Sequence, residues 1–389
     1  MENELLDPFG AAERILEEIE RKMEDLKTLN LMILGKTGVG KSTLINALFG
    51  EKRVETGIGR PVTKNIERIA AHHLTIYDTP GLELDGENSM SELLTQVVDV
   101  INRQVEEGTI DDAIHCILYC VNTPSHRFED NEAKFIKLLQ TRIHTQNIPI
   151  FIVLTQSFNR EDSAALKNYI ASLNLKIRAI VPVLATEYYV DEDYTAKPRG
   201  MTELAQMISE AVPESVKETF DAIQCASMDL KRKRARKIVA ASAAAAAVIG
   251  AVPIPFSDAV LLVPEQIGML AGITAAFGIP VDKAALAAIL SATIGSGGMT
   301  LLGKTVVTNL VKIIPGAGSV VGGAISSATA AALTSALGEA YILVMLMIAK
   351  GEVSADFIKT QEGIKTIARL FVDRIKVARN SDGSPRDED

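Results

Sequence analysis

The sequence predicts an α/β domain built on a mostly parallel sheet, followed by a separate all-α domain rich in glycine and alanine. Between residues 29 and 184, short apolar runs rich in β-branched residues alternate with longer segments of helical period. That alternation is typical of a parallel sheet with flanking helices. Between residues 238 and 350 only eight side chains are charged, and Gly and Pro interrupt the segment at helix-length intervals.

The hydrophobic pattern predicts each element of the first domain in turn. Short apolar runs predict strands at 29–35, 73–78, 116–121, 148–154 and 179–184. Segments of helical period predict helices at 42–49, 89–105, 129–142 and 162–173. The predicted domains are an N-terminal amphipathic helix at 1–29, the α/β domain at 30–213, the charge-poor helical domain at 214–350, an amphipathic C-terminal helix at 351–380 and a disordered tail at 381–389.

Charge and cysteine content narrow the class of protein. The formal net charge of -9 is uneven, because residues 1–230 sum to -14 and the run KRKRARK at 231–237 adds six positive charges. The three cysteines, at 116, 120 and 225, match neither a disulfide framework nor a zinc site. The N-terminal residues also lack a secretory-signal pattern. We therefore expect a cytoplasmic protein.

A glycine-rich loop follows the first strand. Residues 35–42 read GKTGVGKS, which fits G-x-x-x-x-G-K-S/T between an apolar strand and a helix. In such a loop, backbone N–H groups surround phosphate oxygens, Lys41 reaches the β- and γ-phosphates, and the Ser42 hydroxyl binds Mg²⁺. The predicted phosphate contacts are Lys36, Gly38, Val39, Gly40, Lys41, Ser42 and Thr43.

Two further segments complete the predicted phosphate and metal site. Asp78 ends the third predicted element in the sequence DTPG, where its carboxylate would hold Mg²⁺ and the Gly81 N–H would meet a γ-phosphate. An ordinary turn is the alternative, since Asp, Pro and Gly all favour turns. Thr63, in GIGRPVTKNI, is the predicted switch threonine, or else an ordinary loop residue. The predicted metal ligands are Ser42, Thr63 and Asp78, and the predicted catalytic residues are Lys41, Thr63 and Gly81.

These motifs together resemble a known family. The run GKTGVGKSTLINALFG, then PVT, then DTPG resembles the Era-like branch of translation-factor-type GTPases and, more distantly, the immunity-related GTPases. The resemblance covers roughly residues 30–190. It implies a P-loop G domain that binds GTP or GDP with Mg²⁺.

The chain departs from that family at the motif that selects guanine. The family uses N/T-K-x-D, whose Asp pairs with the guanine edge, whereas residues 155–158 here read TQSF. Thr155 and Gln156 remain predicted nucleotide contacts, and Phe158 is expected to stack on a purine or to leave the acidic role to Glu161 or Asp162. The sequence VLATE at 183–187 resembles the family's S-A-K loop and places Ala185 at its middle position.

A second departure concerns hydrolysis. Leu82 follows DTPG, where Ras-type enzymes place a water-orienting Gln. Leucine cannot orient water, so we expect slow intrinsic hydrolysis unless a partner supplies the missing group. Arg60 is a candidate for that role in trans, and a solvated loop residue is the alternative.

The charge-poor block suggests a membrane. Uncharged runs at 238–257, 284–303 and 313–338 approach the ~20 residues that cross a bilayer, and the basic run 231–237 precedes them. Their small residues also suit close helix packing in a soluble bundle or oligomer. Residues 252–279 and 304–345 resemble an uncharacterised all-helical bacterial domain that follows GTPase domains and occurs in inner-membrane proteins.

The predicted function is a Mg²⁺-dependent GTPase of low intrinsic activity, acting as a switch or as a mechanoenzyme like the dynamin-like and immunity-related GTPases. The expected partners are a guanine nucleotide, an anionic membrane surface or membrane protein, and a second copy in a nucleotide-dependent homodimer. The expected location is the cytoplasm, at the inner face of the cell membrane. No specific nucleic acid is expected. The alternatives are a non-hydrolysing scaffold and a ribosome- or RNA-associated Era-type GTPase.

Overall fold

The computed structural model places the sheet and the charge-poor helices in two separate units. The first is Leu26–Ser227, and the second combines Met1–Asp25 with Met228–Asp389. The structure describes residues 8–50, 66–71, 73–79, 87–106, 113–143, 147–190, 194–249, 258–279, 282–287, 327–354 and 356–381.

A six-stranded sheet with the order β2-β3-β1-β4-β5-β6 organises the first unit. The strands are β1 Leu29–Gly35, β2 Glu67–Ala71, β3 Leu74–Asp78, β4 Cys116–Asn122, β5 Ile150–Thr155 and β6 Ala179–Pro182. All neighbours are parallel except β2 and β3, which are antiparallel. A separate two-stranded ribbon joins β7 Tyr188–Tyr189 to β8 Thr195–Ala196. The predicted mostly parallel sheet is confirmed.

Helices occupy most of the remaining described chain. They are α1 Pro8–Glu24, α2 Lys41–Phe49, α3 Glu87–Glu106, α4 Asp130–Arg142, α5 Arg160–Ser172, α6 Met201–Ala211, α7 Glu214–Ile223, α8 Met228–Ile249, α9 Asp258–Phe277, α10 Ser327–Ala349 and α11 Gln361–Ser381. Residues 283–287 are also helical. Gly and Pro stand at or near many of their ends, as expected from the conformational limits of these two residues.

The edge strand β2 was not predicted, and its composition explains why. Its sequence ERIAA has no continuous apolar run, and three of its five residues are exposed. It becomes a strand through antiparallel hydrogen bonding to β3 rather than through its own burial. By contrast, β1 and β5 are buried at every position, because helices cover both faces of a parallel sheet.

Helix α7 belongs to the first unit, although the sequence places the domain boundary near residue 213. The Phe220 ring meets the Phe49 ring edge-on, with centroids 6.1 Å apart. The Thr219 hydroxyl donates a hydrogen bond to the Lys27 carbonyl at 2.8 Å, and the Cys225 N–H donates to the Leu48 carbonyl at 2.7 Å. Pro213 therefore marks a break between two helices of one unit, and the unit extends to Ser227.

The second unit is a helical bundle that includes the N-terminal helix. Ala12 and Ile15 of α1 are fully buried in one apolar cluster with residues of α8, α9 and α10. Within the bundle, the hydroxyl groups of Thr274 and Tyr341 lie 2.6 Å apart, so two buried polar side chains satisfy each other. The N-terminal segment predicted as a separate helix is thus part of the bundle core.

Small residues let the bundle helices approach closely. A Cβ atom built on Gly338 of α10 would lie 2.4 Å from Cγ2 of Val239 on α8. Such a contact is shorter than any packed side chain tolerates, so Gly338 sets the α8–α10 separation. The abundance of Gly and Ala in this block therefore has a packing role.

One helix in the described part of the chain is long and apolar enough to cross a bilayer. Residues Ala330–Ala349 of α10 have a mean hydropathy of 1.8, but half of this stretch is buried inside the protein. A core helix of a soluble bundle meets the same criteria. Of the predicted uncharged runs, residues 250–257, 288–303 and 313–326 lie outside the described residues, as do residues 382–389 of the predicted tail 381–389.

We predict that Gly338→Ala destabilises the helical unit, whereas Gly268→Ala does not. Alanine at 338 would collide with Val239, and overpacking of this kind costs about 1–3 kcal/mol. Gly268, in α9, has no atom of the described residues within 4 Å of its built Cβ, so alanine there should gain about 1 kcal/mol of helix propensity. Urea unfolding followed by circular dichroism measures both. Equal stability of the two variants would contradict the packing role.

Candidate nucleotide-binding site

Three glycines shape the loop between β1 and α2. Gly38 and Gly40 have φ angles of +74° and +93°, which are left-handed values that favour glycine. Gly35 has a φ of +142°, and a Cβ there would lie 2.5 Å from the carbonyl oxygen of Cys120 on β4. The loop can therefore leave the sheet at this point only if residue 35 has no side chain. At Gly38, no atom in the described part of the chain lies within 4 Å of a built Cβ.

Lys41 begins α2 and folds back over the loop. Its ammonium group donates hydrogen bonds to the carbonyls of Gly35 at 2.9 Å and Lys36 at 3.3 Å. Burial lowers the pKa of this ammonium, and the neighbouring Asp78 opposes the shift. No side chain caps the α2 N-terminus at Gly40. A helix start with uncapped N–H groups beside a lysine is a favourable place for a phosphate.

Asp78 lies at the carboxyl end of β3, on the same edge of the sheet. Burial raises the pKa of its carboxyl, and Lys41 opposes that shift. Its Oδ1 atom is buried and has no hydrogen-bond partner among the described residues. The next residue, Thr79, donates both its N–H and its hydroxyl to the Ile33 carbonyl, which joins the end of β3 to β1. An unpartnered carboxylate oxygen at this position fits a magnesium ion or its bound water.

The donor set also fits the way magnesium binds in proteins. Asp78 and the half-buried Ser42 offer one carboxylate and one hydroxyl. Among the described residues, no group of three His, Cys, Asp or Glu side chains could hold a metal ion. Mg²⁺ prefers one or two protein oxygens together with waters and substrate phosphates, so a full protein cage is not needed.

Lys36, the second residue of the loop, points its ammonium toward the start of α4. Its Nζ lies 2.6 Å from Glu129 Oε1 and 3.7 Å from Glu132 Oε2. Burial raises the pKa of Glu132, which also accepts a hydrogen bond from the Tyr119 hydroxyl at 3.2 Å. The Lys36 ammonium is therefore paired with carboxylates in this arrangement, and its predicted contact with the nucleotide stays a prediction. No sequence motif indicated the roles of Glu129 and Glu132.

The loop after β5 contacts the glycine-rich loop. The Thr155 hydroxyl lies within hydrogen-bonding distance of the carbonyls of Val39, at 2.5 Å, and Val121, at 3.1 Å. The Gln156 amide donates to the Gly38 carbonyl at 3.4 Å. Gln156 has a φ of +51°, so the chain turns sharply there. Thr155 and Gln156 are thus beside the predicted phosphate site.

Phe158 stacks on Tyr188. The two rings are nearly parallel, at 3°, with centroids 4.4 Å apart. Phe158 occupies the position where the resemblance leads one to expect a carboxylate. The acidic substitutes considered from the sequence, Glu161 and Asp162, lie in the first turn of α5, where their N–H groups donate to the Asn159 side chain. Sequence reasoning missed Tyr188, because no spacing rule connects it to Phe158.

The loop containing Ala185 supports the loop after β5. The Ser157 N–H donates to the Val183 carbonyl at 3.0 Å, and the Leu184 N–H donates to the Arg199 carbonyl at 2.9 Å. The Arg199 guanidinium in turn donates to the Ser157 carbonyl, with its Nε at 2.9 Å. Half-buried Ala185 follows directly. The other predicted residues, Thr63, Gly81, Arg60 and Leu82, lie outside the described residues.

Comparison with known proteins supports the phosphate-site interpretation. Residues 30–156 match a family described as 50S ribosome-binding GTPase. Human Septin-12 is 25% identical over 201 residues, covering 46% of this chain and 55% of the septin. Septin-1 of Drosophila melanogaster is 28% identical over 213 residues, covering 48% and 55%. The chain thus spans about half the length of these curated relatives.

Solved structures show similar partial likenesses. Aquifex aeolicus Era bound to GDP and AlF₄⁻ is 20% identical, with a TM-score of 0.34 over 57% of this chain and 68% of that chain. Arabidopsis thaliana Toc33 in complex with GDP and Mg²⁺ is 19% identical, with a TM-score of 0.32 over 57% and 96%.

The family match agrees with the glycine-rich loop between β1 and α2 and with the ligands predicted from the sequence, GTP or GDP with Mg²⁺. Its matched residues contain β1 to β5 and end at Gln156, in the loop beside that site. Residues 30–156 are therefore similar to a P-loop GTPase domain.

Proposed function

We propose that this protein is a Mg²⁺-dependent GTPase switch that hydrolyses GTP slowly on its own and acts at a membrane surface. One observation carries the nucleotide part of the proposal. The Lys41 ammonium is bound only to loop carbonyls, and the buried Asp78 Oδ1 beside it has no partner among the described residues. The Lys41 ammonium is therefore suited to bind a phosphate, and the Asp78 carboxylate is suited to bind the metal ion that accompanies it.

Each residue of the site then has a definite task. Bound Mg²⁺ would neutralise phosphate charge. Lys41 would exchange the Gly35 and Lys36 carbonyls for β- and γ-phosphate oxygens, while Ser42 and Asp78 hold the ion. The backbone N–H groups from Gly38 to Thr43 would donate to the phosphates. Thr63 and Gly81 are the residues that we propose respond to the γ-phosphate.

Slow hydrolysis follows from Leu82, which has no group to orient water. We propose that a second copy of the chain, in a nucleotide-dependent homodimer, supplies the missing group through Arg60. The same observation favours a second function, in which the protein binds GTP as a scaffold and does not hydrolyse it.

The membrane part of the proposal concerns the exposed face of α8. The basic run is partly used inside the bundle, because buried Lys231 donates to the Phe277 carbonyl at 2.7 Å and Arg236 pairs with Glu339 at 2.9 Å. One exposed face still combines basic residues with small apolar ones: Lys233, Lys237, Ala240, Ala241, Ala244 and Val248. A helix face of this kind suits an anionic lipid surface.

We predict that Lys41→Ala weakens GTP binding by about 10²–10⁴-fold. The substitution removes two charge-assisted hydrogen bonds to phosphate, each contributing about 1.5–3 kcal/mol. Lys137→Ala, on the exposed side of α4, is the matched control and should bind GTP normally. Equilibrium titration with a fluorescent GTP analogue measures both. Equal affinity of the two variants would exclude the proposed phosphate site.

We also predict that phosphate release per molecule rises with protein concentration. A group supplied in trans acts only when two copies meet, so the specific activity of the wild-type chain should increase several-fold between dilute and concentrated samples. Multiple-turnover phosphate release measures this. Hydrolysis that is fast and independent of concentration would contradict it, and GTP binding without any phosphate release would establish the scaffold function instead.

The exposed basic face of α8 can be tested by vesicle binding. The full chain should float with anionic vesicles and not with neutral vesicles, and Lys233→Glu with Lys237→Glu should abolish flotation. The control is Lys137→Glu with Lys176→Glu, which reverses two exposed charges of the first unit. Carbonate extraction of cell membranes then separates peripheral from spanning attachment. Flotation that both double variants retain equally would contradict the role of this face.

A further inference from the structure

We propose that Phe158 and Tyr188 form a stacking platform for the nucleotide base, and that the site consequently selects purines over pyrimidines but separates guanine from adenine only weakly. This inference rests on the proposed function, because it requires the phosphates to occupy the glycine-rich loop. It adds the substrate class and two specificity-determining residues.

The position of the loop after β5 supports the platform. Thr155 and Gln156 contact the backbone of the glycine-rich loop at Val39 and Gly38. Gly40 is also close, because a Cβ built there would lie 3.8 Å from the Gln156 amide nitrogen. Phe158 follows two residues after Gln156, on the segment of the chain that leads away from the glycine-rich loop. A base separated from those phosphates by its ribose would meet this segment.

The stack itself is suited to a third ring. The Phe158 and Tyr188 rings lie 4.4 Å apart and within 3° of parallel. Phe158 is half-buried and Tyr188 is 40% exposed, so the pair is accessible to a ligand. A base can extend such a parallel stack, and stacking on aromatic side chains tolerates different bases because every base has a π face.

The platform is held in place before any ligand binds. The Arg199 guanidinium donates to the Ser157 carbonyl, and the Ser157 N–H donates to the Val183 carbonyl. The Ser157 hydroxyl lies 2.9 Å from the Thr123 hydroxyl, and both side chains are buried. The Phe158 N–H is bonded to the Gln156 carbonyl at 2.8 Å. A fixed platform binds a base with less loss of conformational entropy than a mobile one does.

The hydrogen-bonding groups explain the weak discrimination. Guanine presents an N1–H and a 2-amino group where adenine presents an N1 acceptor and a C–H, so selecting guanine requires a strong acceptor in the protein, such as a carboxylate. Residues 155–158 contain no carboxylate, and because the Gln156 amide nitrogen donates to the Gly38 carbonyl, that side chain can offer guanine its neutral amide oxygen alone. Sites built to hydrogen-bond a particular group reject analogues lacking it by about 10⁴-fold or more. A stacking platform without that acceptor lacks this source of selectivity.

The test is competition binding to the full-length chain with Mg²⁺, using GTP, ITP, ATP and CTP against a fluorescent GTP analogue. We expect the three purine nucleotides to bind within about tenfold of one another and CTP to bind at least about tenfold more weakly. Tyr188→Leu and Phe158→Leu should weaken purine binding by about 5- to 100-fold and narrow the purine–pyrimidine difference. Tyr189→Leu is the matched control, since this neighbouring tyrosine is 66% exposed and not in the stack.

The outcomes separate this inference from the proposed function. A wild-type preference for GTP over ATP of about 10³-fold or more would overturn the inference while leaving the GTPase proposal intact. Loss of such a preference in Glu187→Gln would identify the exposed Glu187 as the base reader instead. Equal effects of Tyr188→Leu and Tyr189→Leu would also overturn it. Absence of binding by every nucleotide, or binding unchanged by Lys41→Ala, would overturn both proposals.

Discussion

The close approach of the glycine-rich loop to β4 is the constraint on which the nucleotide site depends. Gly35 lies so near the Cys120 carbonyl that a Cβ would come within 2.5 Å of it. Because the chain passes through this gap, α2 begins directly beside the carboxyl ends of β3 and β4. Lys41, Asp78 and the loop backbone are brought together as a consequence. A bound magnesium ion or its coordinated water would supply the partner that Asp78 Oδ1 lacks among the described residues.

Desolvation acts differently on the charged groups of the two units. In the first unit, burial alone shifts the pKa values of Lys41 and Asp78 in the directions that disfavour their charges, and each charge partly offsets the shift of the other. In the second unit, the buried Lys231 ammonium donates to the carbonyl of Phe277, the last residue of α9. The negative end of the helix dipole favours a positive charge at this position. Lys41 and Asp78 remain available to a ligand, whereas Lys231 has a structural role in the helical bundle. A basic run in the sequence is therefore an incomplete guide to a membrane-facing surface.

The loop after β5 keeps its contacts with the glycine-rich loop although Phe158 stands where the resemblance leads one to expect an aspartate. Thr155 still joins this loop to the glycine-rich loop, and Arg199 fixes the next peptide group. The Phe158 side chain, three residues after Thr155, is aromatic where the resemblance leads one to expect an acid, and it stacks on Tyr188. The backbone contacts of this loop thus do not depend on whether its fourth residue is acidic or aromatic.

The sequence alone determined the fold class of the first unit, its five main strands and the phosphate-binding loop, because these depend on local pattern. Buried parallel strands are continuous apolar runs, and the loop needs glycines at fixed spacing before Lys41. Only the tertiary structure decided the edge strand β2, the placement of α7 in the first unit, the packing of α1 in the bundle and the Phe158–Tyr188 stack. Each of these rests on contacts between residues distant in sequence, and burial and pairing at such distances leave no periodic signal in the chain.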